Sequence, residues 1–384
     1  MKKLFFFAVA VALTIVAGTG CKGAMVSNAV GDTLQMKYAE RIKIVECDGY
    51  SVVTLADPWN MGKTLHAYLL VPGDGSGASD DSLKAMHPGA TIVHTPLKKA
   101  LIATSVHCAL TDELGAADAV GGVCDLQYIN LPWVKEGVKS GKIRDCGSAL
   151  SPTIETIIDL APDAIFLSPF QNSGGYGRVS ELNIPVIETA DYMETSPLGR
   201  AEWMRFYGML FGKEQQADSL FAEVDKEYGR LKAEGGMKKD EGGRKTVLMD
   251  KLTGSVWYVP GGKSTIGQMI SDAGIGYAWS EDESSGSLSL PFEAVLEKAM
   301  DADIWLFRYS APHDITSKEL LSEKAGYSQF RAFREGNIYG CNNSLNTFYE
   351  DTPFHPERLL RDFICIAHPE ENLGEPKYFI KVKK

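Results

Sequence analysis

The stretch Ser151-Pro-Thr-Ile-Glu155-Thr-Ile-Ile-Asp-Leu-Ala-Pro-Asp163-Ala-Ile-Phe-Leu167 has an echo in the other half of the chain. The echo reads Ser289-Leu-Pro-Phe-Glu293-Ala-Val-Leu-Glu-Lys-Ala-Met-Asp301-Ala-Asp-Ile-Trp-Leu-Phe307. Each copy has a Ser, a Glu four residues on, apolar residues two and three beyond the Glu, and an Asp eight beyond it. That spacing predicts a short helix with one apolar face, an Asp turn, and then a buried parallel strand. Two such units predict two similar lobes, each with a solvent-side Glu near a helix start.

Working outward, strand–helix alternation runs from Ala90 to the end of the chain, as parallel α/β units require. Strands are expected at Thr91–His94, Val120–Val123, Ala164–Ser168 and Pro185–Glu188, with a helix over Ile102–Leu114. The second half repeats the rhythm at Lys245–Met249, Gly276–Trp279, Ile304–Arg308 and Asn337–Gly340, and closes with a helix near Pro356–Ala367. Between the halves, Ala217, Leu220, Phe221, Val224, Tyr228 and Leu231 follow helical spacing, and Gly235-Gly236 ends the run. One helix of this length, about 30 Å, would join the lobes stiffly and limit closure. The expected fold is α/β: two Rossmann-like lobes joined by one long helix. Before them, Arg41–Val45, Tyr50–Leu55 and Leu65–Val71 read as an extra antiparallel β-ribbon, followed by an exposed loop at Gly73–Pro88.

The chain opens Met-Lys-Lys, continues with an apolar run from Leu4 to Ala17, and reaches Gly18-Thr19-Gly20-Cys21. These are the parts of a secretory signal, and the run is too short to span a bilayer. Cys21 after Gly-Thr-Gly resembles a bacterial lipoprotein processing site, although Gly18 stands where Leu is usual; plain secretion is the alternative. The organisation expected is a signal peptide at 1–20, a tether at 21–37, the β extension at 38–89, a first lobe at 90–212, the linker helix at 213–236 and a second lobe at 237–384. A net charge of -11 with no Lys/Arg-rich tract argues against nucleic-acid binding. The seven Cys include no Cys-x-x-Cys pair, so free thiols and disulfides both stay open.

The segment Asp145-Cys-Gly147, Ser151-Pro-Thr-Ile-Glu155, Leu160-Ala-Pro162-Asp163 and Ile184-Pro185-Val186 resembles the substrate-binding proteins of iron–siderophore, haem and vitamin B12 ABC importers. The resemblance continues through Leu198-Gly-Arg-Ala-Glu202-Trp, the linker helix and Ala294–Phe307, with Asn183 and Met300 replacing the family's Gly and Pro. It implies a monomeric, membrane-tethered periplasmic receptor. Such a receptor binds a ferric siderophore, haem or cobalamin in the interlobe cleft and passes it to an ABC permease and its ATPase. It also implies that Glu155 and Glu293 dock onto the permease. Taken without the resemblance, each Glu simply favours its helix N-terminus.

Ligands of open α/β sheets lie beyond the carboxyl ends of the strands. That rule selects loops carrying Tyr128, Tyr176, Arg178, Trp257, Tyr258, Trp279, Arg308 and Tyr349 as candidate ligand contacts. Aromatic rings with a few guanidinium groups suit a large, partly apolar, anionic chelate. Val259-Pro-Gly261-Gly262-Lys263-Ser264 superficially resembles a phosphate-binding loop, but Trp257 occupies the first Gly position. The seven His are scattered, which disfavours direct capture of a metal ion, the rival binding role. An exported enzyme acting on a chelate is the alternative of a different class. Neither a G-x-S-x-G elbow nor a Cys–His pairing supports it, and no catalytic residue or cofactor is expected.

Overall fold

A computed structural model describes residues 29–171, 175–238 and 244–384; the signal segment and Cys21 lie outside the described residues. Two parallel sheets form the lobes. In the first, the strand order is Val186–Glu188, Ala164–Leu167, Ala100–Ile102, Val120–Val123, Arg144–Asp145. In the second it is Gly276–Tyr277, Thr246–Met249, Ile304–Tyr309 and Ile338–Asn342, with Ile380–Lys381 added antiparallel at one edge. Central strands such as Ala164–Leu167 are buried throughout, because helices cover both faces.

Both copies of the repeated stretch fold as their spacing requires. The helices are Ile154–Leu160 and Phe292–Ala299, and in each the Glu is the second residue. The Asp turn departs from the expected alignment. Asp163 Oδ2 accepts the backbone N–H of Lys99, while its own N–H donates to Lys99 O. The residue that makes this reciprocal pair in the second lobe, with Thr246, is Asp303 and not Asp301. The second copy is therefore two residues longer between its Glu and its strand.

The N-terminal region is a five-stranded sheet. Asp32–Leu34, Ile42–Cys47, Tyr50–Ala56 and Thr64–Pro72 pair antiparallel in chain order, and Thr91–Thr95 adds parallel to the last. Two expectations are corrected here. Residues 32–34 of the expected tether are a paired strand, and the strand near Thr91–His94 belongs to this sheet, not to the first lobe's. Burial explains the second correction. Thr91–Thr95 buries only Val93 fully, as an edge strand can, whereas Ala100–Ile102 is buried at every position and fits the lobe's centre. That strand also takes the first residue of the helix expected from Ile102, which begins at Ser105.

The sheet uses both faces. Val45, Val52, Leu69 and Val71 pack on Leu83 of the helix Asp80–Met86, while Ile44, Val53, Leu55, Tyr68 and Leu70 join the main core. Two buried carboxylates fasten it to the lobe. Glu202 accepts the N–H groups of Lys37 (2.8 Å), Tyr38 (2.7 Å) and Ala39 (2.9 Å). Glu194 accepts those of Glu40 (3.2 Å) and Arg41 (2.8 Å), together with Trp203 Nε1 (2.8 Å). Five consecutive backbone donors thus end on two acids that are 1 % and 4 % exposed.

The linker helix Glu214–Lys238 buries Ala217, Phe221, Val224, Tyr228 and Leu231, the stripe its sequence spacing defines. It packs on Met204–Phe211 and on the long helix Pro356–Ala367. A second seam joins the lobes away from the linker. Phe354 sits against His107 (5.6 Å) and Tyr207 (5.8 Å) of the first lobe. Beside it His355, 4 % exposed, holds Glu113 Oε2 through Nε2 (2.5 Å) and Glu357 Oε1 through Nδ1 (2.9 Å). Arg358 also reaches Glu113 (3.3 Å). Asn130 donates its N–H to Glu350 and its amide to the carbonyls of Asn343 and Asn346.

Two stability predictions follow from these contacts. Glu202→Ala leaves three backbone N–H groups without an acceptor and should lower stability by about 3 kcal/mol, read by urea denaturation. Glu202→Gln, which keeps one acceptor oxygen, should lose less. For His355, burial opposes the charged form, but Glu113 and Glu357 outweigh it and raise the imidazole to about 8. A raised histidine stabilises fully below its ordinary value near 6.5, and the contribution is lost as pH rises through 8. The wild type should therefore lose about 2 kcal/mol more than His355→Asn between pH 6 and pH 9. Parallel pH profiles for the two proteins would contradict this.

Candidate ligand-binding site

The carboxyl ends of the first lobe's strands open into a cavity of about 780 Å³. Thr104 follows the strand Ala100–Ile102, and Ser168, Pro169 and Phe170 follow Ala164–Leu167. Tyr176, Arg178 and Tyr192 form further walls, and the helix start at Ser151–Glu155 forms the rim. A smaller hollow of about 240 Å³ shares Thr104, Ser168 and Tyr192 and adds His107, Thr189, Asp191 and Arg200. Hydroxyl groups dominate this floor, and several are held in place. Ser168 Oγ and Thr189 Oγ1 lie 2.9 Å apart, and Tyr192 donates to Pro169 O at 2.5 Å.

Behind the floor stands a buried polar network. Asp191 is fully buried and accepts His107 Nε2 (2.9 Å), the Tyr207 hydroxyl (2.8 Å) and Arg200 Nε (2.9 Å). Burial alone would raise this carboxyl, but His107, Arg200 and the hydrogen bonds prevail and hold it at about 2. It stays ionised at any working pH. Thr104 Oγ1 closes the chain on His107 Nδ1 at 2.5 Å. At the other wall Tyr176 donates to Glu188 Oε1 (3.1 Å), while Glu188 Oε2 is buried without a partner. Burial pushes Glu188 up to about 7 and pushes the neighbouring His66 down to about 4. Burial thus favours the neutral form of both groups, which leaves His66 uncharged near neutral pH and Glu188 divided between its two forms.

The residues singled out in the sequence fall into three groups. Tyr176 and Arg178 line the first-lobe cavity. Tyr128, Tyr258 and Tyr349 are exposed rings, at 74 %, 45 % and 48 %. Arg308, at the end of its strand, is held by Asp250 through Nε (2.9 Å) and Nη2 (2.6 Å). Trp257 and Trp279 are corrections. Trp257 is fully buried, packs on Trp305, Tyr327 and Phe330, and donates Nε1 to Met249 O. It lies in the strand Val256–Pro260, where alternation sends Trp257 inward and Tyr258 outward. Trp279, 5 % exposed, packs on Tyr277 with Lys298 above its ring. Both are core residues. Glu155 is exposed at the cavity rim, and Glu293 lines a separate second-lobe hollow of about 630 Å³ with Lys251 and Lys324.

Sequence reasoning missed Arg200. It lies in the short helix Pro197–Glu202, whereas the strand-end rule selects only the loops that follow strands. The quoted motif Leu198-Gly-Arg-Ala-Glu202 contains it, and the signal is a lone cation among three acids, Asp191, Glu194 and Glu202, all of them buried. The six described cysteines are free thiols, five of them buried.

Comparison with known proteins agrees with this architecture. Residues 108–345 match the family model described as periplasmic binding protein. The chain is 24 % identical over 370 residues to an uncharacterised lipoprotein of Methanocaldococcus jannaschii, covering 90 % of this chain and 84 % of that protein. The fold is similar to that of a periplasmic haem-binding protein from Pseudomonas aeruginosa, with a TM-score of 0.55 at 15 % identity, covering 75 % of this chain and 99 % of that one. It is also similar to the siderophore-binding protein BauB bound to two acinetobactin molecules and ferric iron, with a TM-score of 0.55 at 17 % identity, covering 72 % and 94 %. The chain belongs to the periplasmic binding protein family. Among the described residues no helix is long and apolar enough to cross a membrane.

Proposed function

We propose that this protein is a lipid-anchored receptor of an ABC importer. It captures an iron complex, a ferric siderophore or haem, or a corrinoid between its lobes and delivers it to the permease. The observation that carries this reading is the 780 Å³ cavity at the carboxyl ends of the first-lobe strands. Its size and its mixture of aromatic, hydroxyl and guanidinium groups suit a chelate of several hundred daltons. The haem-binding name of one structural neighbour, the ferric siderophore bound to another and the lipoprotein name of the Methanocaldococcus relative support the ligand class and the anchor.

In this reading residues 1–20 are removed, Cys21 carries the lipid, and residues 213–236 bridge two lobes that close modestly on the cargo. Closure is driven by whatever additional affinity the closed form has for the ligand. Tyr128, Tyr258 and Tyr349 supply exposed rings, and Arg308 supplies a fixed cation. Glu155 and Glu293, each second in its helix, serve as acidic posts for basic residues of the permease.

Absorbance titration and native mass spectrometry of the mature protein with ferric siderophores, haem and cobalamin test the receptor reading. One ligand should bind stoichiometrically without turnover; failure to bind any of them, or conversion of the chelate, would count against it. For the docking role, the double variant Glu155→Lys/Glu293→Lys should retain ligand affinity within about twofold yet abolish uptake by cells. Intact uptake would remove these residues from the interface.

A further inference from the structure

The hollow beside the main cavity contains one cation whose donors are only partly used. Arg200 gives Nε to Asp191 Oδ2, and among the described residues its two terminal nitrogens make no hydrogen bond. The side chain is 24 % exposed, so those nitrogens are not closed off in the core. Its partner carboxylate is occupied on both oxygens, by His107 and Tyr207 on one and by Arg200 on the other. Asp191 therefore fixes the direction of the guanidinium without taking up its fork.

Local structure fixes the residue equally firmly. Ser196 caps the helix by accepting the Gly199 N–H at 2.9 Å. A Cβ on Gly199 would lie 2.6 Å from Ser196 Oγ and 2.9 Å from Tyr38 O, so the helix start is pressed against the N-terminal segment. Three residues later Glu202 anchors that same segment. The backbone on both sides of Arg200 is thus in contact with the N-terminal segment. In front of it Ser168 and Thr189 share one hydrogen bond, which leaves one of their hydroxyl protons to donate elsewhere.

We propose that this hollow is an anion subsite, in which the free nitrogens of Arg200 and the spare hydroxyl proton of the Ser168–Thr189 pair take a carboxylate of the cargo. This inference rests on the receptor reading and narrows it to chelates that carry negative charge. Two terminal nitrogens in one plane, each with free N–H donors, match a two-oxygen anion. Among the described residues, the carboxylates that line the two hollows are Asp191, already bonded on both oxygens, and Glu155 at the outer rim. An anion at Arg200 would therefore meet no free like charge.

The test uses the mature protein and four probes: ferric dicitrate and haem, which carry carboxylates, and a neutral ferric trihydroxamate and cobalamin, which lack them. Affinities are read by tyrosine and tryptophan fluorescence quenching. Arg200→Gln should weaken whichever carboxylate-bearing probe binds by at least about tenfold and change a neutral probe by less than about twofold. Arg200→Lys, which keeps the charge beside Asp191 but loses the fork, should fall between. Should Arg200→Gln fail to fold, Arg200→Lys and the wild type are compared at low and high salt. The preference for the charged probe should then shrink with salt and be smaller in Arg200→Lys. Equal losses for charged and neutral probes, or no loss in a folded Arg200→Gln, would overturn the subsite. Binding of the neutral probes alone would overturn it while leaving the receptor reading standing. Binding of none would overturn both.

Discussion

Three carboxylates in one stretch of thirteen residues, Asp191 to Trp203, are almost fully out of water: Asp191, Glu194 and Glu202. An isolated charge in such surroundings costs many kcal/mol, so each acid must find several donors. The donors come from distant parts of the chain. Asp191 draws on His107, Tyr207 and Arg200; Glu194 and Glu202 draw on residues 37–41 and Trp203. Satisfying these acids fixes the cleft floor, seats the N-terminal sheet and orients the helices that lead into the linker. One local constraint thus sets three pieces of architecture.

The linker helix is not the sole tie between the lobes. The Phe354–His355 seam and the Asn130 contacts join them on the first lobe's side, with ring packing and charge-assisted hydrogen bonds. Such a seam favours small closing motions about fixed contacts over a wide hinge. The two acidic helix starts differ in setting. Glu155 borders the main cavity, whereas Glu293 borders a hollow of its own between two lysines. The second lobe keeps the plan of the first with two extra residues before Asp303, which is why sequence spacing pointed to Asp301.

Periodicity made the lobes and the linker readable, since the apolar stripe of 217–231 and the fully buried strands leave strong patterns. The three middle strands of the N-terminal sheet were legible; its first, Asp32–Leu34, fell in the expected tether, and its fifth was legible as a strand but not as a member of this sheet. Nothing local distinguishes a strand that pairs with the extension from one that pairs with the lobe. Trp257 was misread because being next to a strand end says nothing about which face a side chain takes; alternation in Val256–Pro260 decides that. Arg200 and the buried acids were illegible for a different reason. Their environment is made by partners up to 165 residues away, as between Glu202 and Lys37.

A crystal structure of the mature protein with a bound chelate tests the central claim most directly. The account predicts density for the cargo at the carboxyl ends of the first-lobe strands, against Ser168, Tyr176 and Tyr192, with the second lobe closing over it. A chelate seated on the N-terminal sheet, or in the far hollow between Tyr339 and Lys381, would contradict it.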